Sequence, residues 1–128
     1  TNQPLAPISY LHHKTGAIGT IMLVPYNSQY GIVESNNQNI VTKFTEKGPL
    51  PFWINAGVYL FNRQIESLLP DLGDHETTTF QDLASEGRLA AYHSSSTWTS
   101  IESPKDLNDI SDQITKGHIK LTAMPEQD

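Results

Sequence analysis

Two short runs in the sequence bring together side chains able to hold a small polar ligand. Glu46 and Lys47 are adjacent, and in a continuous strand they would point to opposite faces and could not serve one ligand. Gly48-Pro49 follows at once and is expected to end the strand there, which removes that obstacle. Asn55 and Gly57 share one strand face by period two, with Ile54, Ala56 and Val58 on the other, so a polar contact stands over a glycine floor. Gly31, after Tyr30, is a third candidate, because a missing Cβ lets a backbone approach a ligand closely. A single lysine with a few backbone amides can hold a small phosphate ester even in a chain of net charge -6, since such binding is decided locally. Each candidate has a structural alternative. Gly31 can be a simple turn, Glu46 and Lys47 an exposed ion pair at a strand end, and Asn55 a buried amide satisfied by backbone groups.

Other chemistry is poorly provided for. The chain has no cysteine, which removes a disulfide framework, a thiolate metal site and a cysteine nucleophile together and is compatible with a reducing cytoplasm. His12, His13, His75, His93 and His118 show no metal-ligand spacing, and neighbours on a helix such as His12 and His13 set their rings about a quarter-turn apart. Glu66, Asp71 and Asp74 read as solvated charges, and Trp53 and Trp98 as packing residues rather than stacking platforms. The eight Lys and Arg are scattered without a basic stripe, which with the negative balance argues against nucleic acid. Apolar runs such as residues 21–24 fall far short of the roughly 20 residues that span a bilayer, so no membrane partner is expected.

The elements that must position these residues can be read from pattern and punctuation, in a chain of 128 residues that is the size of one domain. A helix is expected over residues 4–14, ending at Gly16 despite Pro7, then a buried strand over 17–24 closed by Pro25. Residues 31–35 and 40–46 read as a hairpin around the turn-forming run 36–39. Residues 54–62 read as a strand buried on both faces, as in the middle of a mixed sheet. A short helix over 63–69, a helix over 79–86 and strands over 88–93 and 97–101 follow. Ser103-Pro104 opens a last helix with Leu107, Ile110 and Ile114 on one apolar face. This alternation predicts an α/β layered fold with a mixed sheet.

The runs Tyr30-Gly31-Ile32-Val33-Glu34, Phe44-Thr45-Glu46-Lys47 and Trp53-Ile54-Asn55-Ala56-Gly57-Val58-Tyr59, followed by Trp98-Thr99-Ser100-Ile101-Glu102-Ser103-Pro104, stand in a familiar order. Together they resemble the nucleoside-diphosphate-sugar pyrophosphorylases, or sugar-1-phosphate nucleotidyltransferases, most of all the mannose-1-phosphate guanylyltransferase type. The likeness runs from about residue 3 to about residue 114. It implies the C-terminal part of a Rossmann-like nucleotidyltransferase domain, over residues 1–117 with a tail over 118–128. It also implies a sugar-phosphate site built from Gly31, Glu46, Lys47, Asn55 and Gly57, in which Glu46 accepts sugar hydroxyls and Lys47 pairs with the phosphate. The implied reaction makes a nucleoside-diphosphate sugar and pyrophosphate from an NTP and a sugar 1-phosphate, in the cytoplasm.

Two departures qualify what the resemblance implies. The family's final strand reads approximately Trp-x-Asp-Ile-Gly-Thr-Pro, and its Asp helps to hold Mg2+; here Ser100 stands at that position, with Glu102 two residues on. A hydroxyl is a poorer magnesium ligand than a carboxylate. The family's Gly-rich nucleotide loop, its activating Lys and its first metal-binding Asp belong ahead of Thr1. The chain is therefore expected to assign no catalytic residue and no metal ligand of its own. It is expected to be inactive alone, to meet an NTP only beside a complementary N-terminal half, and to self-associate through exposed edges. The alternative expectation is a non-catalytic regulatory or scaffolding module derived from that family.

Overall fold

The computed structural model describes residues 1–119. Its organising element is the strand β1 (Gly19–Ser28), the middle of a three-stranded sheet. On one side it pairs antiparallel with β4 (Gly48–Phe61), and on the other parallel with β5 (Leu89–His93). The sheet is mixed, as the alternation of helices and strands predicts. A separate antiparallel pair, β2 (Ile32–Ser35) with β3 (Val41–Thr45), forms the expected hairpin. The Asn36 side chain accepts from the backbone of Gln38 and Ile40 and closes its turn, with Asn39 in the left-handed region at φ 62°.

One sheet face is covered by α1 (Leu5–Thr15), which ends at Gly16 with φ 65° as its punctuation predicts. Pro7 falls in the first turn, where a missing N–H costs nothing. Ile8 and Met22 are fully buried there beside Val24 and Ala56, with Ile54, Val58, Leu60, Tyr92 and Trp98 packed around them. Each such apolar side chain contributes roughly 1.5–3 kcal/mol of burial. His12 is buried on the same face, its Nδ1 2.9 Å from the Thr20 hydroxyl.

The opposite face is covered at the Gly19 end only. A 3-10 turn (Arg63–Ser67) and α2 (Thr79–Ser85) bring Ile65 and Leu83 against Ile18, Phe61 and Leu89. Toward the Pro25 end this face stays open, and Trp53, Asn55, Ala91 and His93 are exposed.

Several expectations are corrected. Pro25 does not close β1, which continues to Ser28 with Pro25 opposite Trp53. Residues 54–62 are not mid-sheet; β4 is an edge strand among the described residues, and it begins early, at Gly48. The edge position explains why Pro49 and Pro51 are tolerated, since neither donates to the ladder. Gly48-Pro49 therefore starts a strand, and the break falls one step before it, at the bend of Glu46 and Lys47. Residues 97–101 form no strand; they run as a loop tied to the N-terminal segment through Asn2 and Thr97. The last helix, α3 (Pro104–Thr115), has the expected Ser103 cap in a full capping box with Asp106, yet none of its residues is buried. The region expected as a tail overlaps residues 120–128, which lie outside the described residues. No helix among the described residues is long and apolar enough to cross a membrane.

Candidate functional site

An open cleft of about 870 Å³ lies beside the end of β1. The end of β1 and Ile54 form one wall, and the loop of residues 95–100 with Glu102 forms the other. Trp98 anchors that loop, its indole N–H donating to the Ala56 carbonyl at 2.9 Å. Lys47 lines the same cleft. Its backbone is in the left-handed region at φ 48°, a conformation that costs a residue with a Cβ roughly 1–2 kcal/mol. The bend that it forms lets Glu46 and Lys47 escape strand alternation, which is the function assigned to Gly48-Pro49 from sequence.

Lys47 is electrostatically unusual. Among the described residues, Lys43, Arg63, Arg88, Lys105 and Lys116 each have a carboxylate within 4 Å, and Lys14 lies over the Tyr10 ring at 5.9 Å. Lys47 has neither kind of partner, so its ammonium is available to an anion entering the cleft.

The other residues singled out from sequence are not gathered into this lining. Glu46 is exposed at the bend. Gly31 is exposed ahead of β2, and a Cβ there would meet the Phe44 ring at 2.6 Å, which is a packing reason for glycine. Asn55 pairs with Leu23, placing it on the open sheet face with Trp53 rather than on the α1 face with Ile54. Ile54, Ala56 and Val58 meet one core face as the alternation predicts, and Gly57, at φ 71°, lies in an irregularity where residues 55–59 of β4 face residues 21–23 of β1. A second irregularity between Pro25 and Asn27 resets β4 again before the bend. Trp98 is the packing residue expected, whereas Trp53 is 48% exposed and meets His93 edge-on at 4.5 Å.

Asn55 has partners that its sequence context did not suggest. Its side-chain oxygen accepts the Gly57 N–H at 2.9 Å, and its amide donates to Tyr59 Oη at 2.7 Å and Glu76 Oε1 at 2.9 Å. Tyr59 in turn donates to Glu76 Oε1 at 2.7 Å. Partial burial pushes the Tyr59 phenol above its ordinary range; the bond from Asn55 opposes this and the bond to Glu76 reinforces it. The phenol therefore stays a donor at neutral pH. Tyr59 was findable by period-two spacing from Asn55; Glu76, 21 positions away in a loop, had no sequence signal.

The nucleotidyl transferase family model matches residues 2–117. The chain belongs to this family. Within the nucleotidyl transferase family it is 34% identical over 111 residues to the mannose-1-phosphate guanylyltransferase catalytic subunit beta of Dictyostelium discoideum, spanning 80% of this chain and 30% of that one. It is 29% identical over 112 residues to a probable glucose-1-phosphate cytidylyltransferase of Bacillus subtilis, spanning 86% and 43%. The chain thus spans less than half the length of these two relatives. A crystal structure of a putative glucose-1-phosphate thymidylyltransferase from Bacillus anthracis superposes with a TM-score of 0.58 at 14% identity, covering 94% of this chain and 52% of that one. The resemblance carried by the sequence motifs is borne out at the level of family, and the α/β mixed-sheet fold with it.

The residues present bear on the magnesium ion that the resemblance implies. Among the described residues no three His, Asp or Glu side chains gather into a metal-holding group. The cleft offers the Ser100 hydroxyl and the Glu102 carboxylate, where magnesium asks for a near-octahedral set of hard oxygens. This donor set does not fit a complete magnesium site.

Proposed function

We propose that this chain supplies the sugar-1-phosphate-binding side of a nucleotidyltransferase that joins a hexose 1-phosphate to a nucleotide. The observation that carries the proposal is Lys47, a cation without an ion-pair partner among the described residues, held at a strained bend on the wall of the open cleft. Its role is to neutralise the sugar phosphate as a point charge. Glu46 beside it, Gly31 and the Asn55 to Gly57 bulge serve the sugar. Positioning and charge neutralisation are what nucleotidyl transfer chiefly asks of a protein, and this chain contributes them for the acceptor. The test is calorimetry of wild type and Lys47→Ala with mannose 1-phosphate and with mannose. The expected result is a loss of about tenfold or more for the phosphate ester and little change for the free sugar. Equal losses for both ligands would show that Lys47 supports structure and does not read phosphate.

A second reading, a non-catalytic relative that binds a sugar phosphate or a partner chain, is favoured by Ser100 alone, because it replaces the carboxylate of the family pattern. Ser100→Asp discriminates, since it sets a second carboxylate on the cleft wall beside Glu102. On the catalytic reading the anionic ligands come from the complementary N-terminal half, and direct magnesium titration of this chain changes little. On the second reading Ser100→Asp creates magnesium affinity that wild type lacks.

A further inference from the structure

The cleft that Lys47 lines carries one further charge. Among the described residues on its wall, Lys47 is the only cation and Glu102 the only carboxylate. The rest of the lining is uncharged, with Ile54 and Trp98 among its apolar members and Thr99 and Ser100 among its hydroxyls. The fold uses neither charge. Like the Lys47 ammonium, the Glu102 carboxylate has no ion-pair partner among the described residues, and it takes no hydrogen bond from them. The two do not pair with each other.

Both residues are placed by their backbones, which leaves their side chains free. Lys47 sits at its bend with φ 48°. The Glu102 N–H donates to Asp106 Oδ2 at 3.2 Å, the oxygen that also accepts from the Ser103 N–H at 2.9 Å in the α3 capping box. Ahead of it, Trp98 pins the same loop to the Ala56 carbonyl. A segment tied at both ends thus carries Glu102 on the cleft wall. A carboxylate is an acceptor only; it repels a phosphate and attracts donors. A cleft with one unpaired charge of each sign matches a ligand that is anionic at one end and donates hydrogen bonds at the other. Its volume of about 870 Å³ is within the range of small-molecule sites. A sugar 1-phosphate has this polarity, whereas inorganic phosphate lacks the sugar hydroxyls.

We infer that Glu102 is a specificity-determining residue for the sugar end of the ligand, accepting a ring hydroxyl directly and without a metal ion between them. This inference rests on the reading that the cleft holds a sugar 1-phosphate through Lys47. It gives the one carboxylate of the cleft a direct contact, where the donor set completes no magnesium site. Glu102→Gln keeps the size of the side chain, removes the charge and breaks no contact of that side chain with the described residues, so the variant is expected to fold as wild type does.

The experiment is an NMR shift titration of wild type, Glu102→Gln and Lys47→Ala with mannose 1-phosphate, mannose and inorganic phosphate, run in EDTA and again in magnesium. Glu102→Gln is expected to weaken both mannose ligands by about tenfold, the effect of losing a hydrogen bond to a charged group, equally with and without magnesium. Inorganic phosphate should bind it no more weakly than wild type, because a like charge has left the cleft. These opposite signs separate a direct contact from a general loosening of the cleft. Glu102→Gln that binds the mannose ligands as wild type does, that weakens inorganic phosphate as much as mannose, or that loses affinity only in magnesium overturns the inference. The Lys47→Ala arm tests the parent reading by itself. Normal phosphate binding by Lys47→Ala, beside a Glu102→Gln variant that loses mannose, removes the phosphate assignment and leaves Glu102 standing. Loss of phosphate by Lys47→Ala, beside an unaffected Glu102→Gln, does the reverse, and wild type that binds none of the three ligands overturns both.

Discussion

Replacing Gly57 by alanine tests the bulge on which the Asn55 cluster depends. Gly57 has φ 71°, and a Cβ built on it meets nothing within 4 Å. No neighbour has to move, so the cost is conformational alone. A residue with a Cβ in the left-handed region loses roughly 1–2 kcal/mol. Against this, alanine restricts the unfolded chain and recovers about 0.4–1 kcal/mol. The strain wins, and Gly57→Ala is expected to be less stable by about 1 kcal/mol, a fall in melting temperature of about 4 °C. Gly57→Asn should lose less, because asparagine visits that region more readily. Gly48 in the same strand is the control: its φ lies outside the positive range and the nearest atom, Thr45 Cγ2, is 4.0 Å away, so Gly48→Ala should be neutral or slightly stabilising. The assay is urea unfolding followed by fluorescence of the two tryptophans. Gly57→Ala with a midpoint equal to that of wild type or of Gly48→Ala would show that the backbone is not left-handed there, and the bond from the Gly57 N–H to Asn55 Oδ1 would lose its basis.

Acid should weaken the fold through His12, whose imidazole is held below its ordinary range by burial and next by the neighbouring His13. Because the unfolded chain takes the proton first, stability is complete above about pH 6.5 and falls as pH drops from there toward the lowered folded value. Urea midpoints of wild type should fall across that window, and His12→Gln should flatten the fall; parallel curves for the two proteins would count against it. Ser103→Ala removes an N-cap that accepts from Asp106 N at 3.2 Å, worth about 1 kcal/mol. Since α3 buries none of its residues, the loss should remain local, with amide exchange in α3 about fivefold faster and the global midpoint unchanged. A matching drop in the global midpoint would show that α3 is coupled to the core.

What the sequence determined by itself lies mostly within a few residues of the signal. Gly16 ends α1, Asn36 to Asn39 turn the hairpin, and Ser103-Pro104 opens α3, because caps and turns are made by side chains bonding to their own nearby backbone. The motif order from Tyr30 to Pro104 likewise sufficed to indicate the family, and the alternation of element types to indicate a mixed α/β sheet. Pairing partners, by contrast, are not written beside the residues they affect. Whether residues 54–62 lie at the centre or the edge depends on which strands flank β1, and only the register with β1 shows that Gly57 sits in an irregularity of the ladder. The extended look of residues 97–101 yields to Trp98 and Thr97, which tie that segment to β4 and to the N-terminal residues instead of to a sheet edge. The partner of Asn55 was the least legible of all. Glu76 reaches it across 21 positions, and a contact between two irregular segments leaves no periodicity for a sequence to carry; the tertiary fold alone brings that carboxylate to the bulge.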